Sequence, residues 1–314
     1  MPSYHVPDEA AVLSYFDTLS NWGRWGNDDQ LGTLNLITPE KTRRAVALVK
    51  EGATVSCARP ITNEAAADVR STPLHLMAYA GEGYSIHEQG HGELQAAADF
   101  IGMIFHGFTI THIDTLAHIF WKGKMYNGRP SHLITSREGA TVESIELMAN
   151  GVITRGVLLD IARLRGVDWM RMGEGIMREE LEEAERTQGV KVEPGDVLLL
   201  RTGNWKRRET EGAHAGAERS GPHAACIPFF RERDIAMLGS DTPNDVIPTG
   251  YPSLARPVHQ VGIVGMGLWL IDNCNLEELA AACAARNRWE FMLTLAPLRI
   301  KYGTGSPANP IAVF

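Results

Sequence analysis

Cysteine is scarce in this chain. Four occur in 314 residues, at Cys57, Cys226, Cys274 and Cys283, and no two form a C-x-x-C pair. That spacing excludes a thiolate zinc knuckle, and it predicts buried free thiols in a reducing, cytoplasmic setting. Basic residues are outnumbered, 30 Lys and Arg against 38 Asp and Glu, giving a formal charge of −8. A nucleic-acid or anionic-membrane binder needs the opposite balance, so neither partner is expected. No window approaches eighteen uninterrupted apolar residues, and the first dozen residues lack the charged and apolar blocks of a signal peptide, so neither a membrane span nor a leader is expected. A G-x-S-x-G elbow is absent, and no cysteine sits in an electropositive motif, which removes the common nucleophile signatures. Phosphate loops of the form G-x-G-x-x-G are missing too; Gly262, Gly265 and Gly267 do not fit the spacing. There are no internal repeats and no low-complexity linker.

What is present reads as one α/β domain over residues 1–314. Hydrophobic residues make up 44%, enough for a sizeable core. Helical patterns cover 9–19, 143–148, 178–188, 224–233 and 276–286, the third with a charge pattern that suggests a solvated face. Thr38, Pro39 and Glu40 form an N-cap, a first helical position and an acidic first turn for a helix running to about Lys50. Apolar runs at 156–161, 196–202, 235–238 and 268–271 read as buried strands, with shorter strands at 54–57 and 74–78 and a long last one at 289–300. The tail GTGSPANPIAVF reads as Gly and Pro turns. Alternating strands and helices give a mixed sheet with a barrel-like core and flanking helices. Residues 1–35 form an arm whose Trp22 and Trp25 pack on the core or on a partner subunit, or lid a pocket that Trp25 would help to line. Residues 60–98 read as a long pocket wall. His87 and His91 are four apart there, but Gly90 and Gly92 speak against a helical ligand pair.

The chemistry concentrates in FHGFTITHIDTLAHIF, Phe105 to Phe120. His106, His112, Asp114 and His118 fall within thirteen residues of otherwise apolar sequence. Buried imidazoles and a carboxylate need partners, and a divalent metal is the commonest; satisfied core histidines are the plainer alternative. On a regular strand Phe108, Ile110, His112 and Asp114 share one face, with His112 and Asp114 about 6.6 Å apart. His118 reaches the same ion if the chain turns after Thr115 and Leu116. His106 shares the parity but needs a bulge at Gly107. Nitrogen and carboxylate donors suit Zn, Mn or Fe. Phe105, Phe108, Phe120 and Trp121 suit a ring-bearing small molecule, or plain core. Asp241 is a candidate pocket edge in a Ser-Asp turn, and His223 a candidate proton carrier or a surface-loop residue.

THIDTLAH resembles the HxGTHxDxPxH metal signature of the putative cyclase family, which includes bacterial kynurenine formamidase and isatin hydrolase and trans-dienelactone hydrolase-like proteins. WGNDDQLGTLN, DVLLLRTGNW, GSDTPNDVIP, IDNCNLEEL and TGSPANPIAVF resemble it as well, so the likeness spans most of the chain. The resemblance implies a swivelling β/β/α fold, a Zn- or Mn-dependent amide or lactone hydrolase, and a homo-oligomer, dimer or tetramer. It implies His112 and Asp114 as ligands and His118 as ligand or general base. A later His and a Glu complete the formamidase site, and the matching positions here are His259 and Asp272. Phe108 stands where the signature has its first His, Ile110 where it has Gly and Leu116 where it has Pro. Either His106 substitutes for the missing ligand or the metal site is arranged differently.

The expected reaction is hydrolysis of a cyclic amide or imide, an arylformamide or a lactone by metal-activated water, with His118 exchanging protons. Two other readings compete. His112-x-Asp114 is also the start of a 2-His-1-carboxylate iron site of an oxygenase, with His223 or His259 as third ligand. Phe108 is also compatible with a non-catalytic relative whose metal site has decayed.

Overall fold

The computed structural model describes residues 4–82 and 94–314. His87 and His91 lie outside the described residues.

The apolar runs do become the centre of the sheet. In chain order its nine strands are β1 (Thr54–Ser56), β2 (His112–Asp114), β3 (Val152–Asp160), β4 (Val197–Arg201), β5 (Met237–Ser240), β6 (Trp269–Asp272), β7 (Glu290–Leu295), β8 (Gly305–Pro307) and β9 (Ile311–Val313). They lie in the order β1-β9-β7-β3-β4-β5-β6-β2-β8. The four central strands β3 to β6 are parallel, and every residue of β4, β5 and β6 is buried. That is why they read as continuous apolar sequence rather than as alternation. Antiparallel strands finish both sides, so the sheet is mixed as expected. Helices flank it, among them Pro39–Val46, Arg178–Gln188 and Glu277–Arg286. Thr38 Oγ1 accepts the Lys41 amide, the cap read from sequence.

Four local expectations change. The helix Arg178–Gln188 is not a solvated rod: Glu180 and Glu185 are buried and take Arg165 and Arg233 as partners. The last long strand stops at Leu295, just before Pro297, whose ring and missing N–H end sheet pairing. The tail is not a string of turns, since it supplies β8 and β9. The central stretch is strand only at His112–Asp114. Upstream, side chains from distant segments take its carbonyls: Arg59 Nη1 donates to Phe108, and Asn273 Nδ2 to Gly107 and Ile110. Phe108 and Ile110 are therefore not strand positions facing with His112.

The N-terminal arm packs on the body of the chain. Trp22 Nε1 donates to the Val264 carbonyl, Asn21 Nδ2 to that of Met266, and Arg24 pairs with Asp234. Asn127 holds the arm's backbone at Gly26 and Asp29. Leu74–Tyr79 and Ala98–Gly102 form a separate two-stranded ribbon. Among the described residues no helix is long and apolar enough to cross a membrane.

Candidate metal centre

Strand register builds the site. β2 lies between β6 and β8, which places His112 opposite Asp272 on one side and Pro307 on the other, and Asp114 opposite Leu270 and Gly305. His112, Asp114 and Asp272 thus come together through sheet pairing, although Asp272 is 158 residues after Asp114 in the numbering. The irregular backbone before β2 folds His106 back onto the same carboxylate. Its Nδ1 stands 2.8 Å from Asp114 Oδ1, and its Nε2 is 3.1 Å from Thr304 Oγ1. A Cβ on Gly305 would lie 2.3 Å from the Ile113 carbonyl and 2.8 Å from His106, so this approach needs glycine.

His112 Nδ1 pairs with the Ile110 carbonyl at 2.8 Å, leaving Nε2 3.3 Å from Asp114 Oδ1. His259 is delivered by the turn Pro257–His259, just before the π-helical segment Gln260–Met266. Asp245 fixes it. Its Oδ2 takes His259 Nδ1 at 2.6 Å and the His259 amide at 3.2 Å, and its Oδ1 takes the Val258 amide at 2.8 Å. His259 Nε2 then faces Asp114 Oδ2 at 3.4 Å and Asp272 Oδ2 at 3.5 Å. Asn244 Nδ2 holds Asp272 Oδ1 at 2.7 Å. His118 lies at the edge, its Nε2 3.8 Å from Asp114 Oδ1 and its ring stacked on His106 at 3.8 Å.

Two donor groups share Asp114. One is His106, His112 and Asp114; the other is Asp114, His259 and Asp272; within each, the ligand atoms lie within 4.8 Å of one another. Asp114 Oδ2 is buried and receives no hydrogen bond. A buried carboxylate oxygen without a donor is costly. His259 Nε2 faces this oxygen at 3.4 Å without a hydrogen bond to it, and imidazoles gathered with two carboxylates fit a divalent cation. Burial favours the neutral form of the Asp114 carboxyl, but His118, His112 and His106 beside it hold it well below the usual range. Burial likewise opposes charge on His259, and Asp272, Asp114 and Asp245 outweigh it and raise its pKa well above the usual value. Burial, with His106, His259 and His112 nearby, brings His118 down to about 4.

The remaining residues named from the sequence are outside both donor groups. Asp241 is buried, and it accepts the amides of Thr202, Gly203 and Asn204, so its carboxylate caps a neighbouring loop and helix start. His223 Nδ1 accepts the Ala225 amide and its Nε2 lies 3.4 Å from the Tyr251 hydroxyl. Trp121 stacks on Phe16 at 4.8 Å, and Trp25 sits under Arg24. Phe108 carries three arginines around its ring. Asp245, Asn244 and Thr304 were not singled out. The acid-rich SDTPND run was the signal for the first two; nothing local marks Thr304.

The putative cyclase family matches residues 97–244. A solved structure described as a novel cyclase is 33% identical, with 95% of this chain and 100% of that chain covered and a TM-score of 0.86. Isatin hydrolase A from Labrenzia aggregata, solved bound to benzyl benzoate, shares 21% identity over 86% of this chain and 96% of its own, at a TM-score of 0.58. A predicted metal-dependent hydrolase from Bacillus stearothermophilus shares 15% over 83% and 97%, at 0.51. At those identities the last two show a common fold. No curated protein matches in sequence.

Proposed function

Because the chain belongs to the putative cyclase family, we propose that it is a metal-dependent hydrolase opening an amide or lactone bond: a cyclic amide or imide, an arylformamide or a lactone. The observation that carries this reading is the pair of donor groups that share the buried Asp114 carboxylate, whose Oδ2 receives no hydrogen bond. His106, His112, Asp114, His259 and Asp272 would hold the cation, Zn or Mn, with His106 standing in for the ligand that Phe108 replaces. A divalent cation in such a site supplies Lewis-acid polarisation of an acyl oxygen and a water pKa lowered to about 7.

The protein's own residues do the rest. The Ile110 carbonyl and Asp245 each occupy one imidazole nitrogen, so that His112 and His259 both turn Nε2 toward Asp114. Such outer partners fix tautomer and ring orientation. His118 Nε2 is at the edge of the cluster and a quarter of the side chain is exposed, so it can take a proton and return it to a leaving amine or alcohol. A cleft of about 850 Å³ has Phe105 and Thr111 in its wall, together with Leu298 and Ile300. Phe105 also touches the rings of His106 and His112. This apolar wall supports a ring-bearing substrate.

The ribbon supports a homo-oligomer. Leu74, Leu76, Met77, Tyr79, Phe100, Ile101 and Ile104 are each about half exposed or more. Exposed apolar side chains concentrated on and beside one ribbon are the kind of surface that a partner subunit covers. The four free, buried cysteines accord with a cytoplasmic setting.

Protein purified without chelator is expected to carry at least one Zn or Mn per chain. It should hydrolyse members of a panel of arylformamides, cyclic imides, isatin-like lactams and unsaturated lactones, and Asp114→Ala and His112→Ala should lose both properties. Protein without stoichiometric metal and without turnover on that panel refutes the proposal, as does turnover that needs ferrous iron and oxygen.

A further inference from the structure

Phe108 is the centre of an unusual concentration of positive charge. The guanidinium of Arg219 lies 4.6 Å from its ring centroid, that of Arg70 at 5.4 Å and that of Arg256 at 5.9 Å. A fourth, Arg59, is buried and donates Nη1 to the Phe108 carbonyl at 3.0 Å. Cation–π contact is worth only about 0.5–2 kcal/mol per pair, and the guanidinium groups repel one another. Among the described residues Arg70, Arg219 and Arg256 have no carboxylate within ion-pair distance. Asp68, the acid whose field reaches Arg219 most strongly, is already held by Nε and Nη2 of Arg208, at 2.7 and 3.0 Å. All this stands in a chain whose net charge is −8.

Nor is Arg219 a surface arginine with its head in water. It is 6% exposed, and only its Nη1 is tied down, to the carbonyls of Gly216 and Glu218. Burial, with Arg207 and Arg256 close by, lowers its pKa from the usual value against the opposing pull of Asp68 and Glu218.

The location is as informative as the composition. Phe108 lies between His106 and His112 in the chain. Arg256 opens the turn that delivers His259, its carbonyl accepting the Gln260 amide. Arg219 pairs through its backbone with Ile247, two residues beyond the Asp245 that orients His259. The segment that supplies His106 and His112 therefore brings the ring, the turn that delivers His259 brings Arg256, and the backbone partner of the Asp245 loop brings Arg219. Arginine's planar fork matches a carboxylate, with two parallel N–H donors.

We propose that Arg219, Arg256 and Arg70, gathered on Phe108, form the binding site for a negatively charged carboxylate substituent of the substrate, so that the enzyme acts on ring-bearing acids rather than on their neutral counterparts. The proposal rests on the hydrolase reading of the adjoining metal centre and narrows its substrate class. The ring at position 108 acts as the platform that spaces the guanidinium groups.

The test separates the two claims. Benzenesulfonate and its neutral counterpart methyl phenyl sulfone are titrated calorimetrically into the metal-loaded protein, and into Arg256→Gln, Arg70→Gln and Arg219→Gln. Formanilide and 4-carboxyformanilide are compared as substrates. Arg219 is buried, so the Arg70 and Arg256 variants, checked for an unchanged melting temperature, decide the matter if Arg219→Gln fails to fold. The expected result is at least tenfold tighter binding of the sulfonate, reduced about tenfold in each folded variant, with sulfone binding unmoved. The carboxylated anilide should show a kcat/KM advantage of similar size. Equal affinity for the two probes, or a sulfonate preference that survives in both Arg70→Gln and Arg256→Gln, overturns the anion site even if hydrolysis is observed. Sulfonate discrimination that depends on the arginines, with no turnover of either anilide, upholds the anion site while counting against the hydrolase reading.

Discussion

Asp245→Asn is the sharpest single perturbation of the centre, because Asp245 touches none of the candidate positions for a cation except through His259. Its two oxygens accept three hydrogen bonds, from His259 Nδ1, the His259 amide and the Val258 amide. Asparagine keeps the shape but replaces one acceptor by an NH2 group. If that group faces Val258, the amide there loses its acceptor in a fully buried place. If it faces His259, the imidazole must present a bare Nδ1, which moves its proton to Nε2, the nitrogen directed at Asp114 and Asp272. Either outcome costs about 1.5–3 kcal/mol, the worth of a hydrogen bond to a charged group. Loss of an outer partner of a ligating histidine typically weakens metal affinity by about 10–100-fold, which is the same range in free energy. Competition with a chromophoric chelator measures the metal Kd, and thermal unfolding after chelation measures the metal-independent part. The expected result is a Kd raised tenfold or more, with a fall in kcat. A Kd within twofold of wild type would refute the role given to Asp245 and, with it, the assignment of His259 to the centre.

Three other perturbations follow from the same geometry. His118→Ala should lower kcat at least tenfold while metal content by elemental analysis stays near wild type, since His118 is at the rim and outside both donor groups; loss of metal would make it a ligand instead. Gly305→Ala should destabilise the protein by about 1–3 kcal/mol and weaken metal binding, because its Cβ meets the Ile113 carbonyl and His106; an unchanged melting temperature would contradict the close packing of β8 on β2. Glu143→Gln addresses pH dependence. Glu143 is buried, its Oε2 has no partner, and burial only partly offset by Arg129 pushes its carboxyl up to about 8. A raised carboxyl pKa favours the folded state fully below about pH 4.5 and loses that advantage as pH rises through about 8. The variant should therefore flatten the stability profile between those values and be more stable than wild type at pH 8 and above; an identical profile for both proteins would contradict it.

What the sequence made legible was local. Thr38 and Pro39 announced a helix start because a cap depends on neighbours only. The parallel strands announced themselves because a strand buried on both faces has no choice but continuous apolar residues. His112 and Asp114 were readable from their spacing on a short strand. His106 was readable only as a possibility, because the bend that brings it back depends on Arg59 and Asn273, which lie 49 and 166 residues away from the carbonyls they bind. The same reason hid Asp245 as the partner of His259 and the arginines as the surroundings of Phe108. Asp241 misled in the other direction. A Ser-Asp turn at a strand end looks like a pocket edge, yet this carboxylate is consumed by three backbone amides. On the helix Arg178–Gln188, charge alternation concealed two glutamates that the fold buries against arginines.

The most direct measurement is anomalous diffraction at the Zn and Mn edges from crystals grown with each metal and without chelator. The expected result is a peak bounded by Asp114 and either His106 and His112 or His259 and Asp272, or one in each place. Well-ordered crystals with no anomalous peak beside Asp114, or with the metal bound elsewhere on the chain, would contradict the assignment of this cluster as the metal centre.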